Sequence, residues 1–466
     1  MRARGFGFLH LLVLLAASAP AAPAQPRVVI VDIDGLRRDT LESVYLSGKL
    51  PNFERILGEV RDGKGFGTAV WFENATSVFP TVTMSGQASI FTGATPARHG
   101  VPGNQWFDRA SGRVIAYLTA TGLPCVYGFL PIGVGDCAGG LANRHLEVPT
   151  LYEAATAAGK TSIVVFSQYW KGATHAVLPS LAELALLVQG STPNCQKFDA
   201  LMTAQAVMAL RQYGLPDILT VYFDGADTVG HQHGTAAQAA YLASTIDLLL
   251  GKLLDQYEAA DKQWRTHTQF VITSDHGRTD APATPADQSI EASARKAIEG
   301  AGFAASDYRV VGDGGIVQVY LRSRAQGSRW TDPPPAADIL AVAEALSRNS
   351  SLEAVTHSVV ARTNGPGTGY WTPNGEPVPD DTAALLRAMD SSRTGDVLLL
   401  LKQGHYFGNT ALEGAQHGSI YPADRSVPIA LALGGVNPGR SPVPLSTADI
   451  ARIVATYLGF TMSAQH

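Results

Sequence analysis

The sequence predicts an α/β protein in which a central, mostly parallel sheet is sandwiched by helices and carries an inserted cap region. Three observations carry that expectation. Short aliphatic runs recur along the chain, helix-length stretches separate many of them, and polar clusters fall where the runs end. Alternating strands and helices imply parallel pairing covered on both faces. In such sheets ligands bind beyond the carboxyl ends of the strands.

The first run, Arg27-Val28-Val29-Ile30-Val31, ends at Asp32-Ile33-Asp34-Gly35. It reads as a buried strand that delivers acidic residues to its C-terminal end. Similar runs stand at residues 161–166, Ile218–Phe223, 269–273, Val397–Leu401 and 428–433. Helical stretches are expected over Pro51–Leu57 and residues 151–158, 236–259, 339–347 and 382–389. Two regions fit the alternation poorly. Residues 105–143 are rich in Gly, Pro and aromatics and look like an inserted flap. Residues 280–395 mix a strand-like stretch with Pro-rich loops, including Pro333-Pro334-Pro335, and read as a cap. The expected organisation is a single catalytic domain over residues 25–466 with these two insertions.

Composition narrows the function. The chain has 466 residues, 45% of them apolar and 16% charged, enough for a large core. Its 47 glycines and 27 prolines are spread along the chain, which suggests many loops and not a low-complexity protein. A net charge of −5 gives no basic footprint, which argues against a stable nucleic-acid complex. A nucleotide can still bind through local groups and metal.

Arg2 and Arg4 precede an apolar run over residues 6–17, and Ala22-Pro23-Ala24 stands before Gln25. Residues 1–24 therefore read as a signal peptide, and the protein as exported to a periplasm or the cell exterior. No later stretch reaches the roughly 18 apolar residues of a membrane span. In an oxidising compartment Cys125 and Cys137 could close a short loop, leaving Cys195 unpaired.

Three short stretches are dense in metal-ligand types. Asp227-Thr228-Val229-Gly230-His231 sets a carboxylate and an imidazole four apart, on one face of a helix. Asp275-His276-Gly277 follows the strand-like residues 269–273, and Ala415-Gln416-His417-Gly418 precedes another run. Asp34 is a fourth contributor. Carboxylates and imidazoles in this ratio suit zinc better than calcium or magnesium, which favour oxygen shells. A fifth element spans residues 79–93, where small and polar residues around Thr83 open a helix that Gly93 closes. A hydroxyl there is either an N-cap or, with a metal on its oxygen, a nucleophile.

Asp34-Gly35-Leu36-Arg37, Pro80-Thr81-Val82-Thr83, Thr92-Gly93-x-x-Pro96-x-x-His99-Gly100 with Asn104, Asp227-x-x-Gly230-His231, Asp275-His276 and His417-Gly418 together resemble the alkaline phosphatase superfamily. The branch they most resemble is type I phosphodiesterase/nucleotide pyrophosphatase. That resemblance implies an alkaline-phosphatase-like fold and two zinc ions. One zinc would be held by Asp227, His231 and His417, and the other by Asp34, Asp275, His276 and the Thr83 hydroxyl. Thr83 would be the nucleophile, giving a phosphothreonine intermediate. Asn104 would donate to a non-bridging phosphate oxygen. His99 and Arg37 are expected as framework residues, and His175, His233 and His405 receive no role.

The charge of the substrate is left open between two readings. A phosphate monoester carries one more charged oxygen than a diester and calls for an additional cation. The related monoesterases place a Lys-x-Arg pair downstream; here Lys171 stands in that region, but Ala173 occupies the arginine position. Lys171 is the candidate substrate-binding cation, and the missing arginine favours diester or pyrophosphate substrates of nucleotide type. The alternatives are a broad-specificity alkaline monoesterase on the same site, or a catalytically inactive zinc- or nucleotide-binding protein. Thr83-Met84-Ser85-Gly86-Gln87 lacks the Cys/Ser-x-Pro-x-Arg context of a sulfatase. Oligomeric state has no signature in the sequence.

Overall fold

The computed structural model describes residues 25–129, 137–280, 289–362, 364–407 and 414–462. The expected signal peptide lies outside the described residues. Runs of β-branched and aliphatic residues form the middle of an eight-stranded sheet. Its order is Gly439–Ser441, Ala69–Phe72, Ile429–Leu433, Thr268–Thr273, Arg27–Ile33, Ile218–Phe223, Ser162–Val165, His175–Val177. The central strand Arg27–Ile33 runs parallel to both neighbours, with Asp32 beside Tyr222 on one side and Thr273 on the other. Ile429–Leu433 runs antiparallel to both of its partners, so the sheet is mixed at one side. The central strands are buried throughout except at Arg27, as expected for a sheet covered on both faces by helices.

Parallel register has a direct consequence for function. It aligns the carboxyl ends of Arg27–Ile33, Ile218–Phe223 and Thr268–Thr273, so the residues that follow them emerge at one edge. These are Asp34, the turn leading to Asp227, and Asp275-His276. The helix carrying Asp227 starts at Gly225 and breaks at Gly234, whose φ of 84° and ψ of 178° are not helical. Beyond that kink the expected helix runs to Tyr241 and through a π turn at Leu242–Ile246 into Asp247–Ala260.

Val397–Leu401 corrects the sequence reading. It does not join the main sheet but pairs within a separate antiparallel sheet, ordered Tyr308–Asp313, Ile316–Leu321, Val397–Leu401, Thr356–Ala361. The run is continuously apolar because alternate residues feed two cores. Val397, Leu399 and Leu401 pack with Ile298 and Leu346, whereas Leu398 and Leu400 pack with Phe79 and Met389. A strand buried on both faces reads alike wherever it belongs. The expected helices at 339–347 and 382–389 form as Ala336–Ser347 and Asp380–Met389, and they too pack into the cores that this second sheet builds. The other irregular region contains a hairpin, Gln105–Asp108 with Arg113–Ala116, and a Cys125–Cys137 disulfide; Cys195 is free and buried. Among the described residues no helix is long and apolar enough to cross a membrane.

Candidate metal centre

Thr83 opens the helix Thr83–Thr92, and Gly93 ends it in the left-handed conformation at φ 68°. Thr83 is not the N-cap. That position falls to Val82, whose side chain cannot cap, so the Thr83 hydroxyl is free for other work. Its neighbours are engaged elsewhere: Thr81 Oγ1 donates to Ser419 O at 3.0 Å and Ser85 Oγ to Val101 O at 2.9 Å. Thr83 Oγ1 instead lies 3.2 Å from His276 Nε2.

All three expected histidine ligands are oriented in one way. Nδ1–H of His231 donates to Ala415 O, that of His276 to Gly277 O and that of His417 to Thr81 O, each at 2.9 Å. Each ring is thereby fixed in the tautomer whose Nε2 carries the lone pair. These nitrogens converge: His231 Nε2 and His417 Nε2 are 3.2 Å apart, and the His276 ring stacks on His417 at 3.7 Å between centroids.

The carboxylates follow the same logic, with one oxygen occupied and one turned to the cluster. Tyr222 OH donates to Asp34 Oδ2, and Asp34 Oδ1 lies 3.2 Å from His276 Nε2. Asp275 Oδ1 accepts from Gly35 N at 3.2 Å and His276 N at 2.9 Å, leaving Oδ2 without a hydrogen bond. Asp227 Oδ1 is paired with Arg278, and its Oδ2 lies 3.0 Å from His231 Nε2.

Lone pairs facing one another across such distances repel unless a cation lies between them. Burial, followed by repulsion from Asp275 and Asp227, pushes the Asp34 carboxyl well above its ordinary range. Burial also raises Asp275, although His276 opposes the shift. At Asp227 burial is outweighed by Arg278 and His231, which hold it well below the usual carboxylate range. Two sets, Asp227–His276–His417 and Asp34–Asp275–His276, have their ligand atoms within 4.8 Å of one another. Imidazole nitrogens mixed with single carboxylate oxygens are a donor set that fits zinc. His276 reaches both sets, and His231 joins the first through Asp227 and His417.

The remaining sequence candidates divide. Asn104 Oδ1 accepts from Met84 N at 2.9 Å, in the first turn of the Thr83 helix. His99 is fully buried and hydrogen-bonds Ser89 Oγ and Val101 N, with burial lowering its pKa to about 3; it is framework. Arg37 pairs with Asp39 at the surface. Lys171 is not brought to the cluster: its Nζ pairs with Glu153 at 3.2 Å and is half exposed. His175 stacks on Tyr213.

Two neighbours of the cluster escaped the sequence reading, namely Tyr222 and Arg278. Arg278 is completely buried, with Nε donating to Gly35 O at 3.1 Å and Nη1 to Asp227 O at 3.0 Å. A Cβ on Gly35 would lie 2.2 Å from Nη2 and one on Gly230 1.8 Å from Nη1, so the two motif glycines cradle the guanidinium. The signal that could have found it is its place directly after Asp275-His276-Gly277.

The fold is of the alkaline-phosphatase-like class, shared with the alkaline phosphatase PafA at a TM-score of 0.67 and 17% identity over 95% of this chain and 97% of that one, and the cluster holds side chains that could bind metal. The profile of the type I phosphodiesterase/nucleotide pyrophosphatase family matches residues 28–420, and the chain belongs to that family. Among curated relatives, the chain is 25% identical over 264 residues to ectonucleotide pyrophosphatase/phosphodiesterase family member 1 of Rattus norvegicus. That match covers 56% of this chain and 25% of the relative, so the chain spans about a quarter of that protein's length. The alkaline phosphatase PhoV of Synechococcus elongatus is 22% identical over 531 residues, covering 94% of this chain and 91% of PhoV. Among solved structures, murine ectonucleotide pyrophosphatase/phosphodiesterase 5 shares the fold with a TM-score of 0.62 at 16% identity, covering 94% of this chain and 97% of that one.

Proposed function

We propose that the chain is an exported two-zinc phosphohydrolase that cleaves phosphodiester or pyrophosphate bonds of nucleotide-type substrates through a phosphothreonine on Thr83. The observation that carries this reading is the convergence of six side chains of metal-ligand type, with Asp34 Oδ1 and Asp275 Oδ2 unpartnered and the three imidazole Nε2 atoms turned inward, beside the Thr83 hydroxyl. Asp227, His231 and His417 would hold one ion, and Asp34, Asp275 and His276 with Thr83 Oγ1 the other. When bound, the ions would supply the positive charge that makes a threonine hydroxyl acidic near neutral pH and neutralises the leaving oxygen.

The residues of the chain do the rest. Thr83 Oγ1 loses its proton, attacks phosphorus in line and displaces the leaving alcohol or phosphate; water then cleaves the phosphothreonine. The helix N-terminus behind Thr83 favours negative charge on the transferred group. The Asn104 amide donates to a non-bridging oxygen, with its own carbonyl anchored on Met84 N–H. The diester preference is supported by the family and by the engagement of Lys171 with Glu153. A second reading, monoester hydrolysis, is favoured by the match of PhoV over almost the whole chain.

Two measurements test the proposal. Thr83→Ala should abolish hydrolysis of the p-nitrophenyl ester of thymidine 5′-monophosphate while zinc content and fold persist; retained turnover would move the nucleophile elsewhere. Comparing kcat/KM for that diester with p-nitrophenyl phosphate decides the charge state, and a large monoester preference would replace the first reading by the second.

A further inference from the structure

Among the described residues the cap reaches the centre at the turn between its strands Tyr308–Asp313 and Ile316–Leu321. Asp313 is buried at the end of the first strand, and its Oδ2 accepts the backbone N–H of Asn104 at 2.6 Å. The backbone N–H of Gln105 bonds to the same carboxylate. The approach is close enough that a Cβ on Gly103 would lie 2.5 Å from Asp313 Oδ2, so glycine before Asn104 is what admits it. One residue pair on, Gly315 N donates to His417 O at 3.1 Å, and a Cβ on Gly314 would meet that oxygen at 2.2 Å. A single turn of the cap thus grips the backbone on either side of the site.

A carboxylate is costly to bury away from solvent, and this one is stabilised by backbone N–H groups of the Asn104 segment. Burial still pushes the Asp313 carboxyl up to about 7, against the lowering effect of those two N–H bonds. Asn104 itself is pinned at two further points: its side-chain carbonyl by Met84 N, and its backbone carbonyl by Tyr117 N at 3.0 Å. The Asp313 bond is the one that reaches it from the cap.

We propose that Asp313 is a positioning residue for the phosphoryl transfer, holding Asn104 so that its amide NH2 meets the transferred group, and that the cap acts on the chemistry through this bond. The inference rests on the phosphohydrolase reading above. A donor aimed at developing charge loses effectiveness steeply with misplacement, so loosening its anchor lowers kcat more than it changes KM.

The test is a double-mutant cycle on the zinc-loaded full chain, with kcat, KM and bound zinc measured for wild type, Asp313→Ala, Asn104→Ala and the double variant. Asn104→Ala is expected to lower kcat by about 100-fold, the scale of one lost transition-state donor. Asp313→Ala should lower kcat by roughly 10-fold or more with zinc stoichiometry unchanged, and should cost nothing further in the Asn104→Ala background. Asp313→Asn, which keeps a neutral acceptor, should restore part of the loss, and it replaces the alanine variant in the cycle if that variant does not fold. Multiplying losses in the double variant, or zinc lost from either Asp313 variant, would overturn the proposal, because Asp313 would then act on more than Asn104. If the wild-type chain hydrolyses no phosphate ester, the phosphohydrolase reading itself falls; an active wild type with multiplying losses removes the Asp313 role alone.

Discussion

At 3.2 Å from the Glu153 carboxylate and half exposed, the Lys171 ammonium has a partner in solvent, and an exposed pair of this kind contributes about 0–1 kcal/mol. Its backbone is more firmly held than its charge: Lys171 N donates to Asn143 Oδ1 at 3.0 Å and its carbonyl accepts from Thr150 Oγ1 at 2.6 Å. Lys171→Ala is therefore expected to leave stability within about 0.5 kcal/mol and kcat/KM for p-nitrophenyl phosphate and the diester within about twofold. A loss of tenfold or more for the monoester alone would show that the ammonium leaves Glu153 for the substrate. Arg278 is the contrasting cation, fully buried and committed to Asp227 and Gly35. Lys171 drew notice because its surroundings matched a motif. Arg278 did not, because its cradle is built from Gly35 and Gly230, which are far apart in sequence and silent about what they make room for. Tyr222 and Asp313 were illegible for the same reason: each acts on a residue contributed by a distant segment. The meeting of Asp34, Asp227 and the Asp275-His276 pair was legible, since parallel strands deposit the residues that follow them at one edge.

The helix Thr83–Thr92 is wholly buried, and its fourth residue, Gly86, faces the Asp275 loop so closely that a Cβ would lie 2.4 Å from Asp275 O. Two effects compete in Gly86→Ala. Helix propensity favours alanine by about 1 kcal/mol, whereas forcing a methyl against backbone in a packed interior costs about 1–3 kcal/mol. The obstacle is a main-chain carbonyl on the loop that bears two ligand residues, so it cannot swing aside as a side chain would. Steric cost should win, and the variant should unfold at lower denaturant concentration, with activity falling further than stability because Thr83 and His276 are driven apart. A higher unfolding midpoint would mean that the loop yields and that this contact does not set the site. Element by element, the sequence reading was strongest where strand ends meet chemistry and weakest for Val397–Leu401. Its five apolar residues fit a main-sheet strand as well as the cap strand they form, because local pattern reports burial and not which core does the burying.

Across the whole molecule, the centre ties together segments that have little else in common. Asp34 directly follows the first strand, Asp227 and His231 lie in the helix that starts at Gly225 and breaks at Gly234, Asp275 and His276 in the loop after Thr268–Thr273, and His417 in a segment beyond the cap. The cap turn at Gly315 also holds His417 O. If the centre holds zinc as proposed, removing it returns buried, mutually repelling carboxylates and opposed imidazole lone pairs to the fold, so metal loss should be felt as global destabilisation. For an ion present at 1,000 times its dissociation constant, binding to the folded state alone contributes about 4 kcal/mol per site. Chelation followed by removal of the chelator should therefore lower the unfolding temperature of the purified protein, and zinc should restore it with two equivalents bound. Calcium should restore little, since it favours all-oxygen shells and three of the donors are imidazole nitrogens. Asp34 and Asp275, whose folded pKa values are raised, contribute stability to the chelated protein as pH falls toward their ordinary range, whereas the lowered Asp227 and His417 withdraw it. The chelated form therefore depends on pH only through the balance of the two pairs. The zinc-loaded protein should lose stability over the same interval, because protons compete with the ions for these ligands. Melting curves of the two forms should converge as the solution is acidified. Parallel curves, or an unfolding temperature indifferent to chelation, would remove the metal from the centre.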